Sequence, residues 1–150
     1  MKVKISENEI EEMLDRSRAE GMEKFVVGAV IKRDGKVLLL KRKPDDFMGD
    51  LVELPSGTVD GDENILYALS REVKEETGLE VDSVDRYIGS FDYRSGSGKR
   101  TRQFNFKVSA IGEFFLDGEE HVGHLWVDPD SEYFRDTNIS DEVREVILKI

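Results

Sequence analysis

Two unbroken apolar runs, at 25–31 and 37–40, flank the polar stretch Lys32-Arg33-Asp34-Gly35-Lys36. Neither alternates, so both read as strands buried on two faces with helices against the sheet. The Asp-Gly pair between them predicts a hairpin. Leu51-Val52-Glu53-Leu54 is a third, short strand, ended by a tight turn at Pro55-Ser56-Gly57. The period then becomes helical. Ile65, Ala68 and Leu69 share one face of a helix that Asp62 could cap and Gly78 could end in the left-handed conformation. Residues 84–93 alternate loosely around Tyr87, Gly89, Phe91 and Tyr93, whereas Phe104, Phe106 and Val108 alternate cleanly. Hence 101–111 returns from a long hairpin around the basic loop 94–100. Leu125-Trp126-Val127 is a further strand, stopped by Asp128-Pro129-Asp130, and Ser140-Asp141-Glu142 opens a last helix carrying Val143, Val146, Ile147 and Ile150. At the other end, Ser6-Glu7-Asn8-Glu9 is a capping-box pattern for a charged helix over 6–20 that Gly21 would stop. These elements predict one α/β domain with a mixed sheet over residues 1–150, in which 1–21 is an N-terminal helical extension serving as a surface addition or a homodimer contact.

Composition narrows the chemistry. The 150 residues contain no cysteine, which excludes disulfides, thiolate zinc sites and cysteine catalysis. No apolar run nears the roughly 18 residues of a membrane span, and the N-terminus lacks an apolar signal-peptide region. A cytoplasmic location with no membrane partner is the expectation. The formal net charge of −11 repels nucleic acid polymers. Most of that acid serves solubility, but a few carboxylates could load a divalent cation.

The central helix carries such carboxylates where a core-facing helix carries leucines. At about 100° per residue, Glu72 and Glu76 fall within roughly 20° of the centre of the Ile65/Ala68/Leu69 face. Glu75 lies at its margin and Arg71 further round. Buried unpaired carboxylates are costly. An arginine network, a cleft, or a hard divalent cation could each explain them. Arg71 can pair with Glu75 at i, i+4 but cannot neutralise Glu72, Glu75 and Glu76 together. With no histidine or cysteine adjacent in sequence, magnesium or manganese is favoured over zinc.

The positions Gly57, Glu63, Arg71, Glu72, Val73, Glu75, Glu76, Gly78 and Leu79 follow the pattern Gly-x5-Glu-x7-Arg-Glu-aliphatic-x-Glu-Glu-x-Gly-aliphatic across 23 residues. This resembles the Nudix box, and the resemblance extends over 22–150. It implies an α/β/α sandwich and the hydrolysis of a nucleoside diphosphate linked to a further moiety X. It implies that Glu72, Glu75 and Glu76 hold Mg2+ (or Mn2+), with Glu72 and Glu76 as direct ligands, and that Glu63 and Arg71 brace the loop against the helix. Ser56 departs from the family's usual glycine, yet its backbone carbonyl can still be the metal ligand that the resemblance implies. Glu120, with Glu119 beside it, matches an extra carboxylate that family members recruit from the loop before the tryptophan-bearing strand. Glu75 and Glu120 are the candidates for general base.

Among the cations, Arg42 is favoured over Lys99, Arg100 and Arg102 as a phosphate contact. His121 and His124 read as surface or structural residues. The resemblance is nearest to the MutT-like branch, which implies a nucleoside triphosphate such as 8-oxo-dGTP cut to monophosphate and pyrophosphate. Asn138 lies near the place where that branch has a base-reading asparagine, although Thr137-Asn138-Ile139-Ser140 matches poorly and fits a capping role equally. ADP-ribose or another nucleotide sugar is the alternative substrate; the family's proline for ADP-ribose has no counterpart in Arg94-Ser95-Gly96-Ser97-Gly98. A nucleotide-sensing module without hydrolysis is the alternative class, and the complete set of box glutamates argues for the enzyme. Phe47 and Tyr93 could stack a base, while Phe104 and Phe106 read as core.

Overall fold

The computed structural model describes residues 1–45, 50–116, 118 and 120–150. Among the described residues the elements are, in order, β1 (Lys2–Val3), α1 (Glu7–Ala19), β2 (Lys24–Arg33), β3 (Lys36–Arg42), β4 (Val52–Glu53), β5 (Ser56–Thr58), α2 (Ile65–Thr77), β6 (Glu80–Arg94), β7 (Arg100–Ile111), β8 (His121–Val127), α3 (Glu132–Asp136) and α4 (Asp141–Leu148). The predicted tip residues Phe47 and Met48 lie outside the described residues.

β2 is the axis. One edge pairs in parallel with β7 from Lys24 to Ile31. Its other edge is shared: β5 takes Val26–Gly28 and β3 takes Lys32–Arg33, both antiparallel. β3 repeats the device. β8 runs along one edge, and the other pairs first with β2 and then with β4. Beyond their common turn, β2 and β3 therefore diverge, and the segment 52–58 fills the opening by joining one sheet as β4 and the other as β5. Asp34 and Gly35, at φ 52° and 78°, form the expected turn with the positive dihedrals of a tight hairpin.

The predicted burial of β2 and β3 on two faces holds. Val27, Ala29 and Ile31 pack with Phe104, Phe106, Ile10 of α1 and Ile65, Ala68, Leu69 and Val73 of α2. Val30, Val37 and Leu39 pack with Phe134 of α3 and Val143, Val146 and Ile147 of α4. Helices thus cover both faces of a mixed sheet. α1 is tied down by Arg102, whose guanidinium meets Asp92, Glu20 and the Ser17 hydroxyl at 2.7, 2.6 and 3.1 Å.

Several boundaries differ from expectation. Pro55-Ser56-Gly57 is not a tight turn: 56–58 is β5, held by the Ala29 N–H to Pro55 O and Val59 N–H to Phe25 O bonds at each end. Asn64, not Asp62, caps α2, accepting from the Leu66 and Tyr67 N–H groups at 2.9 and 3.2 Å. The turn closed by Glu63 N–H to Asp60 O delays the helix start. Gly78 does end it, at φ 72°. The loose alternation over 84–93 is caused by register shifts near Val81/Ser83, Val84/Arg86 and Tyr87/Gly89. The short β1 and α3 were not predicted.

Phe104 is fully enclosed, with the Phe25 and Tyr87 rings 5.5 and 6.5 Å away. Phe104→Ala is expected to cost about 3–5 kcal/mol in urea denaturation; a loss under about 1 kcal/mol would contradict its placement at the core's centre.

Candidate active site

α2 lies with Ile65, Ala68, Leu69 and Val73 buried against the sheet, and Glu76 continues that buried stripe at 6% exposure. Its carboxylate meets the backbone of β5: Oε1 accepts from the Ser56 N–H at 2.7 Å. In the ladder to β2, Pro55 and Val59 carry the hydrogen bonds at alternate positions. Alternation therefore turns both the N–H and the carbonyl of Ser56 away from β2 and toward Glu76. Glu72, one turn earlier, rests on Gly57. A Cβ on Gly57 would stand 1.9 Å from the Glu72 carboxyl carbon, so only glycine lets this carboxylate approach the strand.

Arg71 organises the near side. Its guanidinium makes a two-pronged pair with Glu63 at 2.7 and 2.8 Å, reaches the Thr58 carbonyl at 3.1 Å, and donates to Glu72 at 2.8 Å and Glu75 at 3.2 Å. Glu63 also accepts from the Asp60 N–H. One cation thus fixes the loop, the strand and two helix carboxylates. The Arg71 guanidinium and the Asp60 N–H hold the Glu63 carboxyl down at about 2.

On the far side Glu76 Oε2 lies 3.5 Å from Nδ1 of His121, whose Nε2 is 2.9 Å from Glu53 Oε1; Glu53 in turn accepts from Arg42 at 3.2 Å. Glu120 is exposed, yet one oxygen lies within 4.8 Å of ligand atoms on Glu76 and His121. Burial pushes the Glu76 carboxyl up to about 9, and Glu120, Glu72 and Glu53 add repulsion against the pull of the Ser56 N–H. Burial also raises Glu72, opposed by Arg71. Carboxylates crowded in this way, with a backbone carbonyl turned to the same point, suit a hard divalent cation. A cleft of about 520 Å3 opens beside Ser56 and Glu53, lined also by Arg42, Phe91, Tyr93 and Gln103.

A family model of the NUDIX domain matches residues 22–148. The chain belongs to the Nudix family. It is 36% identical over 107 residues to the CTP pyrophosphohydrolase of Escherichia coli (strain K12), covering 70% of this chain and 76% of that one. It is 47% identical over 65 residues to the ADP-ribose pyrophosphatase of Methanocaldococcus jannaschii, 43% of this chain and 37% of that one. Among solved structures, a MutT NUDIX hydrolase from Burkholderia pseudomallei superposes with a TM-score of 0.74 at 24% identity, over 85% of this chain and 97% of that one; this likeness shows the fold. The chain is therefore a MutT-like Nudix hydrolase with the mixed α/β architecture of its family, a family of enzymes that use divalent metals.

The fold brings Glu72, Glu76, Ser56 and Arg71 together, with Glu75 exposed at the rim and Glu120 across the opening. Glu119 lies outside the described residues. Arg42 is at the cleft but is engaged with Glu53. Arg102 is committed to α1, and Arg100 meets the Gly21 carbonyl, so neither reaches the carboxylates. Asn138 lines a separate depression with Lys41 and Tyr133, where its side chain donates to the Asp50 carbonyl. Sequence reasoning missed two residues that stand beside Glu76, His121 directly and Glu53 behind it. His121 is 2% exposed, not a surface residue, so the neighbourhood of Glu76 is not purely oxygen. No strand period marked it: a register shift between Gly123 and His121 turns His121 toward Glu76 of α2, whereas Leu125 and Val127 pack with the α3 and α4 residues. Glu53 was marked by being the lone charge in an apolar run.

A carboxyl with a raised pKa keeps in the folded state a proton that the unfolded chain releases. Its stabilisation is full below its ordinary 4.5 and is lost as pH rises through about 9. Metal-free protein is expected to lose thermal stability across that window, and Glu76→Gln to lose distinctly less. Equal slopes for the two in chelator-treated melts would contradict the placement of Glu76.

Proposed function

We propose that the enzyme hydrolyses nucleoside triphosphates to monophosphate and pyrophosphate with Mg2+, Mn2+ substituting. The observation that carries this reading is the continuity of the Glu72/Glu76/Ser56 cluster with the cleft beside it. Glu72, Glu76 and the Ser56 carbonyl, with Glu75 and Glu120 completing the set, are the groups that would hold the cation. A bound divalent ion would neutralise phosphate charge and lower the pKa of a water, so that the water gives up its proton more readily. The chain's own residues do the rest. Gly57 admits Glu72 to the strand, and Arg71 fixes Glu72 and Glu75 in place. His121, held by Glu53, steadies the buried end of Glu76. Glu120 has no ion-pair partner among the described residues and accepts the water's proton, whereas Glu75 is tied to Arg71. Phe91 and Tyr93 offer ring faces to the base, and Arg42 faces the phosphates from the cleft's wall. The name of the Escherichia coli relative supports a triphosphate substrate. Oxidised guanine triphosphates, which the MutT-like pattern suggests, belong in the same class.

ADP-ribose is the second reading, favoured by the identity to the archaeal pyrophosphatase. The absence of the family's proline from 94–98 places it behind the triphosphates. The site faces mononucleotides, and the acidic chain leaves nucleic acid polymers aside.

The test is a panel of canonical and oxidised nucleoside triphosphates and ADP-ribose with Mg2+, with pyrophosphate and phosphate measured separately. Triphosphates are expected to release pyrophosphate and to outpace ADP-ribose. Glu76→Gln is expected to lower turnover about a hundredfold or more with its fold kept. Release of phosphate alone, turnover of ADP-ribose only, or an unchanged Glu76→Gln enzyme would overturn the reading.

A further inference from the structure

Gln103 and Asn105 lie on β7 opposite Val26 and Gly28 of β2. Alternation puts them on the sheet face away from Phe104 and Phe106. Both are buried, at 6% and 0% exposure. Their hydrogen bonds permit one arrangement. The Asn105 amide end lies 3.1 Å from the Gly89 carbonyl and 3.3 Å from the Gln103 backbone carbonyl. Carbonyl oxygens only accept, so that end must be the NH2 group. Asn105 Oδ1 is then turned to Gln103, 2.9 Å from its side-chain amide. An oxygen there needs a donor, so Gln103 presents Nε2 to it. Gln103 Oε1 is left over. It takes no hydrogen bond among the described residues, it is not sealed from solvent, and Gln103 lines the cleft with Ser56, Phe91 and Tyr93.

The amide pair also has a place prepared for it. A Cβ on Gly28 would lie 2.4 Å from Asn105 Oδ1 and 2.6 Å from Gln103 Nε2. The bare backbone at Gly28 gives the two side chains room to join over the strand.

We propose that Gln103 Oε1 is a fixed hydrogen-bond acceptor that reads an exocyclic amino group on the base. Cytosine, adenine or guanine nucleotides are then preferred over uracil, thymine or hypoxanthine nucleotides. This rests on the nucleotide reading of the cleft given above. A free glutamine side chain can turn over to suit either an amino or an oxo edge. Gln103 cannot, because turning it sets its oxygen against Asn105 Oδ1. Asn105 cannot follow, because its own oxygen would then face two carbonyls. An oxo edge in the cleft meets Oε1 acceptor to acceptor and leaves a buried oxygen unpaired, which lowers affinity about tenfold or more.

The decisive comparison uses matched nucleotides that differ by the amino group: CMP with UMP, AMP with IMP and GMP with IMP. Binding of each to metal-free protein is measured by calorimetry, and the corresponding triphosphates are assayed for kcat/KM with Mg2+. At least one pair is expected to favour its amino member about tenfold, in affinity and in kcat/KM. Asn105→Leu frees Gln103 to turn, and Gln103→Leu removes the acceptor; in both the ratio is expected to collapse to within about threefold of unity. Equal binding within all three pairs by the wild-type protein overturns the proposal, and so does an unchanged ratio in a folded Gln103→Leu. If a variant fails to melt cooperatively, the wild-type pairs decide. An amino preference in binding without any hydrolysis would sink the proposed function and support this assignment. Hydrolysis with no amino preference would do the reverse.

Discussion

The site depends on one docking contact, in which α2 presses two carboxylates onto the bare backbone of β5. Glu76 takes the Ser56 N–H, and Glu72 occupies the space that a side chain at residue 57 would fill. A carboxylate buried in this way is unfavourable unless something else compensates. The helix is held there by its apolar residues: Ile65, Ala68, Leu69 and Val73 seat it on the sheet, and Glu72 and Glu76 are carried in with them. Arg71 then offsets part of the charge from one side, and His121, backed by Glu53, lies against the other. The raised Glu76 pKa shows that the charge is not fully compensated by the protein alone. The donor set suits a hard cation.

The strand arrangement explains why the cluster opens onto a cleft. β2 and β3 each lend one edge to two partners, so the sheets separate where the segment 52–58 crosses between them. Ser56 stands at that crossing. Its backbone groups face the carboxylates because those of Pro55 and Val59 are used by β2. The cleft beside it carries residues of β4, β6, β7 and α4, and so the part of the protein that meets a substrate comes from elements far apart in sequence.

The helix chemistry was legible in the sequence because it depends on local period. Glu72 and Glu76 stood out against Ile65, Ala68 and Leu69 on one face, and the structure places both where the wheel put them. The hairpin at Asp34-Gly35 and the buried β2 and β3 were legible for the same reason. What failed was everything set by tertiary pairing. Ser56 looked like part of a turn because its strand is three residues long and is defined only by β2 across from it. Three register shifts blurred the alternation of β6. Asp62 yielded the cap to Asn64 because a turn from Asp60 to Glu63 comes first. His121 and Glu53 meet across β8, β3 and β4, a juxtaposition that no spacing encodes. The Gln103–Asn105 pair needs the absent side chain of Gly28, on a different strand.

We propose that the carboxylates of α2 hold a divalent cation because Gly57 lets them reach β5. Calorimetric titration of Mn2+ into the wild type and into Gly57→Ala tests this most directly. A methyl group there must displace Glu72, so affinity is expected to fall about tenfold or more while the melting temperature stays within a few degrees. Unchanged cation affinity in a folded Gly57→Ala would contradict the account.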